Sequence, residues 1–104
     1  MTPKDEGPSP LEPPRHVVQH DGGAFLVERD GERLAEMTYA LDGQGRAVID
    51  HTWVSPVLRG GGTGLALVRA AADWARRDGV RVVPVCSYAR AAFARHADLG
   101  DVLA

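Results

Sequence analysis

Residues 50–69 read Asp-His-Thr-Trp-Val-Ser-Pro-Val-Leu-Arg-Gly-Gly-Gly-Thr-Gly-Leu-Ala-Leu-Val-Arg. The stretch begins as a strand, passes through a loop with four glycines in five positions, and continues as a helix. Glycine loses more backbone freedom on folding than any other residue, so such a run is costly unless something uses it. It offers close approach of peptide N–H groups to a ligand. At a helix start those groups lack intrahelical partners, and the helix dipole adds partial positive charge. Together they make an anion site, most naturally for phosphate. The run is not a nucleotide P-loop, because no Gly-Lys-Ser/Thr ends it, and Gly62-Thr63-Gly64 lacks the following glycine of a dinucleotide fingerprint. A plain βα connection is the simpler alternative, but shorter connections suffice for that purpose.

The segments before the loop read as strands. Val17 to Glu28 gives two short strands around Asp21-Gly22-Gly23. Leu34 to Leu41 places Leu34, Glu36 and Thr38 on one side and Ala35, Met37 and Tyr39 on the other, a third strand with one buried face. Asp42-Gly43-Gln44-Gly45 closes a hairpin to a fourth strand, Arg46 to Val54, whose apolar residues on both faces put it inside the sheet. After the loop, Leu65, Val68, Ala72 and Ala75 recur at helical spacing up to about Asp78, and Gly79 is a C-terminal cap. Arg69, Asp73, Arg76 and Arg77 form the solvated side of this helix. Val80 to Val85 is a fifth strand, parallel to the fourth by its crossover length. Ser87 N-caps a last helix, with Ala89, Ala92, Phe93 and His96 on one face. Leu99 to Ala104 has no assigned structure. The fold class is α/β (α+β): a mixed, mostly antiparallel sheet with one βαβ crossover and two helices.

In a parallel pair the carboxyl ends of both strands share one sheet edge, and ligands bind beyond it. The glycine loop follows the fourth strand and Cys86 follows the fifth. Pro84 has no N–H for the ladder, so pairing must break there and leave a gap able to admit an extended ligand.

Composition narrows the classes. The 104 residues suffice for one domain. Five of the seven prolines fall in residues 1–15, a segment too poor in apolar residues to fold, read as a disordered leader; residues 16–104 are the domain. The leader has no apolar core of a signal peptide, and no run is long enough to span a bilayer. A net charge of −2 argues against nucleic acid as partner. One cysteine excludes an internal disulfide and fits a reducing, cytoplasmic setting. His16, His20 and His96 show no metal spacing, and no metal is assigned. Oligomeric state is not readable.

Three motifs carry a resemblance. Arg59-x-x-Gly62-x-Gly64 between strand and helix resembles the acetyl-coenzyme A signature of the GNAT superfamily of N-acetyltransferases. His51-Thr52-Trp53-Val54 before it and Pro84-Val85-Cys86-Ser87-Tyr88-Ala89 after the next strand resemble the short single-domain branch. The match runs from about Phe25 to His96. Thr63 stands where the family usually has an aliphatic residue, and the proline-rich leader has no counterpart. The resemblance implies an abbreviated GNAT fold. It also implies acetyl-coenzyme A as cofactor, its pyrophosphate on the amides of Gly60, Gly61, Gly62, Thr63 and Gly64, with Arg59 adding charge. Its pantetheine arm would pair with backbone near Thr52 and Val54, and its thioester would point toward Cys86. The implied activity is acetyl transfer to an amine, small or protein-borne. The alternative is a module that holds coenzyme A or an acyl form without efficient turnover, because the chain lacks the usual walls of an acceptor site.

Three side chains are candidates for the chemistry. Cys86, just before a helix, would accept the acetyl group covalently, or else is a small core residue. Tyr88 would protonate the departing thiolate, or else packs. His51 would deprotonate the acceptor ammonium, or else fills a structural hydrogen bond. Asp50 would not orient it, since strand neighbours face opposite ways. Trp53 and Trp74 read as core or rim aromatics, and Arg69 as a helix-face charge able to reach the coenzyme's outer phosphate.

Overall fold

A computed structural model describes residues 17–104; the expected leader over residues 1–15 and His16 lie outside them. Strands β1 (Gln19–Asp21), β2 (Ala24–Arg29), β3 (Glu32–Leu41) and β4 (Arg46–Val54) form an antiparallel meander, and β5 (Arg81–Pro84) adds parallel to β4. The sheet order is therefore the sequence order. The β2–β3 turn places both Asp30 and Gly31 at positive φ, 54° and 80°, the backbone that fits a two-residue hairpin to strand twist. Helix α1 (Thr63–Asp78) makes the β4–β5 crossover, and α2 (Ser87–Arg95) follows β5.

Cross-strand register assigns the two faces. Phe25, Met37 and Thr52 form one row, and Val27, Ala35 and Val54 the next. Phe25, Val27, Ala35 and Met37 pack with Leu67, Val68, Ala71 and Ala72 of α1 and with Ala89 and Phe93 of α2 in one core, so both helices cover this face. The opposite face carries Leu26, Glu36 and Trp53 in one row and Ala24, Thr38 and His51 in another. Between Thr38↔His51 and Tyr39↔Ile49 the register slips, and Asp50 is the extra residue. Such a bulge resets the alternation of β4. Ala47 and Ile49 face the helices before it, and Thr52 and Val54 face them after it.

Helix ends follow from local chemistry. Gly62 is the N-cap of α1 at φ 83°, and its carbonyl accepts the first helical bond from Ala66 at 3.0 Å. Gly79 caps the other end at φ 69°. The buried stripe of α1 includes Val68, Ala72 and Ala75 as expected, and also Leu67, Ala71 and Trp74, while Leu65 is only half-buried. For α2 the expected cap moves by one residue. Cys86, not Ser87, is the last extended residue, and its Sγ accepts from the Ala89 N–H at 3.4 Å. His96 is the C-cap of α2 rather than a member of its buried face.

The C-terminal segment is structured where the sequence showed no pattern. Residues Ala97–Val102 form a 3-10 turn that buries Leu99 and Val102, and Ala104 donates to Val82 at 2.9 Å on the outer edge of β5. The arginines of α1 hold this turn and are not simply solvated. Arg69 pairs with Asp98 at 2.8 Å, Arg76 with Asp101 at 2.8 Å and Asp73 at 2.9 Å, and Arg81 donates to the Asp101 carbonyl at 2.7 Å.

Two measurements check this packing. Leu67 is fully buried, so Leu67→Ala should lower the unfolding free energy by about 2–5 kcal/mol in a denaturant titration. The Arg69 and Arg76 hydrogen bonds hold Asp98 and Asp101 below the ordinary aspartate value of 3.8. A depressed acid stabilises the fold above that value and ceases to as pH falls through the folded value. The melting temperature should therefore fall below about pH 4, and Arg76→Ala should flatten that acid limb.

Candidate functional site

The loop after β4 is built stepwise. Ser55 is buried and caps a 3-10 turn, Pro56–Leu58, by accepting from the Val57 N–H at 3.4 Å. The turn's bonds continue from Arg59 to Pro56 and from Gly61 to Leu58, each 3.3 Å. Gly60 and Gly62 both sit at φ 83°, a conformation that side chains strain. Among the described residues, the amides of Gly60, Gly62 and Gly64 donate to no protein acceptor. The Gly61 amide does, so the set of unengaged glycine amides is narrower than the sequence implies.

These glycines border a cavity of about 320 Å³. Thr52 and Val54 form one wall, Leu58, Arg59, Gly60, Gly62, Thr63 and Gly64 the second, and Tyr88 the third. That volume is at the low end for ligand sites, enough for part of an extended molecule. Eight residues singled out from the sequence thus meet around one space. Leu58 was not among them; it follows Pro56 and Val57 in the sequence, and nothing there distinguishes it from the exposed Val57. Arg59 Nε donates to the Val54 carbonyl at 3.0 Å, which engages a group the resemblance offers to the ligand.

The fourth side of the site is the break in the β4–β5 ladder. Pairing ends at Ile49↔Pro84. The Ile49 carbonyl then accepts from both Val85, at 2.9 Å, and Cys86, at 3.1 Å. Beyond it, Asp50 to Val54 have no ladder partner in β5. Cys86 lies behind the cavity wall with its Sγ 3.4 Å from Thr52 Oγ1. Tyr88 packs so closely on Gly64 that a Cβ there would meet its Oη at 2.5 Å and Cζ at 2.7 Å. Burial pushes the Tyr88 phenol above the ordinary tyrosine range, against an opposing pull from Arg95. The phenol therefore keeps its proton at neutral pH and can donate it.

His51 lies elsewhere, on the face opposite the helices, with Nε2 3.2 Å from Glu36 Oε2. Asp50 is on that face too, accepting from Thr38 Oγ1 at 2.6 Å. The expectation that Asp50 and His51 point opposite ways fails because the bulge falls between them. Trp53 shares the His51 face and Trp74 is in the core. Arg69 is engaged by Asp98. No group of three or more potential metal ligands occurs among the described residues, and none of their helices is long and apolar enough to cross a membrane.

The model of the GCN5-related N-acetyltransferases matches residues 24–102, and the chain belongs to that family. It is similar to a GCN5-like protein from Staphylococcus aureus solved by NMR, at 28% identity and a TM-score of 0.71, over 85% of this chain and 87% of that one. The Escherichia coli ribosomal-protein-S18-alanine N-acetyltransferase shares the fold at 24% identity and a TM-score of 0.58, over 74% of this chain but 50% of the enzyme. A Staphylococcus aureus protein solved by crystallography shares it at 13% identity and a TM-score of 0.54, over 70% of this chain and 61% of that one. No curated protein matches.

The Gly64–Tyr88 contact is testable by itself. Gly64→Ala should displace the tyrosine ring and shift its NMR resonances with the fold retained, since a side chain rather than backbone must yield. Unchanged Tyr88 resonances would remove the contact.

Proposed function

We propose that residues 16–104 act as one acetyl-coenzyme A-binding domain that transfers the acetyl group to a primary amine. The observation that carries this reading is the meeting of three unengaged glycine amides with a cavity that runs to Thr52 and Tyr88. The residues fit a phosphate-headed, extended ligand. Gly60, Gly62 and Gly64 offer amides at a helix start, Arg59 adds a guanidinium, and the absent Cβ of Gly64 lets Tyr88 close the wall. Thr52 and Val54 line the end of β4 that runs on without β5. When bound, acetyl-coenzyme A supplies an acetyl thioester, whose C–S bond is exchanged for a C–N bond to the acceptor with release of one proton.

The chain's own groups take the remaining roles. The Tyr88 phenol holds a proton for the departing sulfur. His51 takes a proton from the acceptor ammonium. Cys86, with Thr52 Oγ1 and the Ala89 N–H both 3.4 Å from its sulfur, is the group on which a covalent acetyl would rest. Positioning and dipoles supply most of the effect, as the short loop and few polar groups require.

Calorimetric titration with acetyl-coenzyme A should show binding near one per chain. Gly62→Val, which strains the φ 83° cap, should weaken it about tenfold or more. No detectable heat would overturn the reading. Thiol release in the presence of amines separates an enzyme from a module that only holds the coenzyme. Intact mass after incubation reports an acetyl on Cys86, and full turnover by Cys86→Ala would exclude the covalent route.

A further inference from the structure

The splay of β4 from β5 has two sides. Thr52 and Val54 face the cavity on the helix side, whereas Glu36, His51 and Trp53 lie on the other face. Glu36 is directly opposite Trp53 across the strand pair, and His51 reaches it diagonally, 3.2 Å from Nε2 to Oε2. The carboxylate thus sits between an imidazole and an indole that are two positions apart on one strand. The three side chains are accessible: His51 is 52% exposed, Glu36 25% and the Trp53 residue 39%. Arg33 also pairs with Glu36, at 3.1 Å, but it is shared with Glu28 at 3.6 Å and leaves the patch acidic. Asp50 adds a further carboxylate beside Thr38.

We infer that Glu36, His51 and Trp53 form the acceptor subsite, which takes a primary alkylammonium from the helix-free face of the sheet. This rests on the acetyl-coenzyme A reading of the opposite side. The carboxylate attracts the cation, and the indole face receives the ammonium and its aliphatic arm. Glu36 is a positioning residue. It accepts from His51 Nε2–H, which fixes the tautomer and leaves the lone pair on Nδ1. Nδ1 takes one of the three ammonium protons, and the amine's freed lone pair attacks the thioester carbonyl, so that the C–N bond forms as the C–S bond breaks and the nitrogen's second proton replaces the one Tyr88 gives to the sulfur. The proton passes from the imidazolium to solvent. The bulge at Asp50 makes this arrangement possible, because it sets His51 and Trp53 on one face and Thr52 and Val54 on the other.

The probes are cadaverine and a lysine peptide blocked at its N-terminus, which tell a free amine from a side-chain amine. Titrating either into the protein with no coenzyme present should shift the Trp53 indole N–H resonance while that of buried Trp74 stays. Glu36→Gln should abolish the shift. In turnover assays Glu36→Gln should lower kcat/KM for the amine at least tenfold with acetyl-coenzyme A affinity unchanged, and Glu36→Asp should regain most of it. The His51→Gln rate should climb about tenfold per pH unit from 7 to 9, following the free-amine fraction of a group of pKa about 10.4, while the wild type levels off. Wild-type-like acceptor kinetics in folded Glu36→Gln and Trp53→Leu variants would overturn the proposal. So would a protein that binds acetyl-coenzyme A but neither binds nor acetylates either amine. Absence of coenzyme binding would instead fell the underlying reading, and this subsite with it.

Discussion

One carbonyl governs the architecture. Ile49 accepts from both Val85 and Cys86, while the missing N–H of Pro84 lies on the outer edge of β5, because Arg81 and Val85 are the residues whose amides reach β4. The Cys86 N–H, which a regular strand would point to the outer edge, turns onto the carbonyl that Val85 already uses, so β5 leaves the ladder here and not because Pro84 lacks a donor. The remaining five residues of β4, Asp50–Val54, run on without β5, and the cavity lies against their helix-facing side. The glycine loop, Tyr88 and the Cys86 cap are all consequences of where that ladder stops.

The rest of the fold holds the opening in place. Strand β4 is fixed on its other side by the long pairing with β3, and β5 is held by α1, α2 and the C-terminal residues on Val82. The arginine contacts from α1 to Asp98 and Asp101 tie that C-terminal segment to the crossover helix. They are exposed, and each is a weak contributor alone. Their placement matters more, because the 3-10 turn has only Leu99 and Val102 to bury.

Much of this was readable in the sequence, because period and punctuation agree. Arg46–Val54 and Thr63–Asp78 are delimited by Gly45, the glycine loop and Gly79, so their bounds follow directly. The loop was also identifiable, since a glycine cluster between a strand and a helix has few structural uses, whereas Thr52, Val54 and Tyr88 were named by the motif resemblance. The C-terminal turn was not. Its partners are arginines of α1 and the edge of β5, and such long-range contacts leave no local pattern. The bulge was hidden for a similar reason. Asp50 is an ordinary residue, and only the pairing with β3 reveals that it is one too many. That hidden insertion is why Asp50 and His51 were expected to part company and do not.

The odd residue in β4 also bears on how the family's chemistry tolerates change. Strand parity is binary: loss of Asp50 would restore simple alternation with Ile49, Thr52 and Val54 all still facing the helices, whereas a regular ladder that kept Asp50 would exchange the strand's two sides from there to the loop. The imidazole would turn into the helix-side hollow and the threonine out to the opposite surface. The bulge is therefore what lets β4 carry its odd residue without turning over, whereas the surface turn at Asp42–Gly45 is free of that arithmetic.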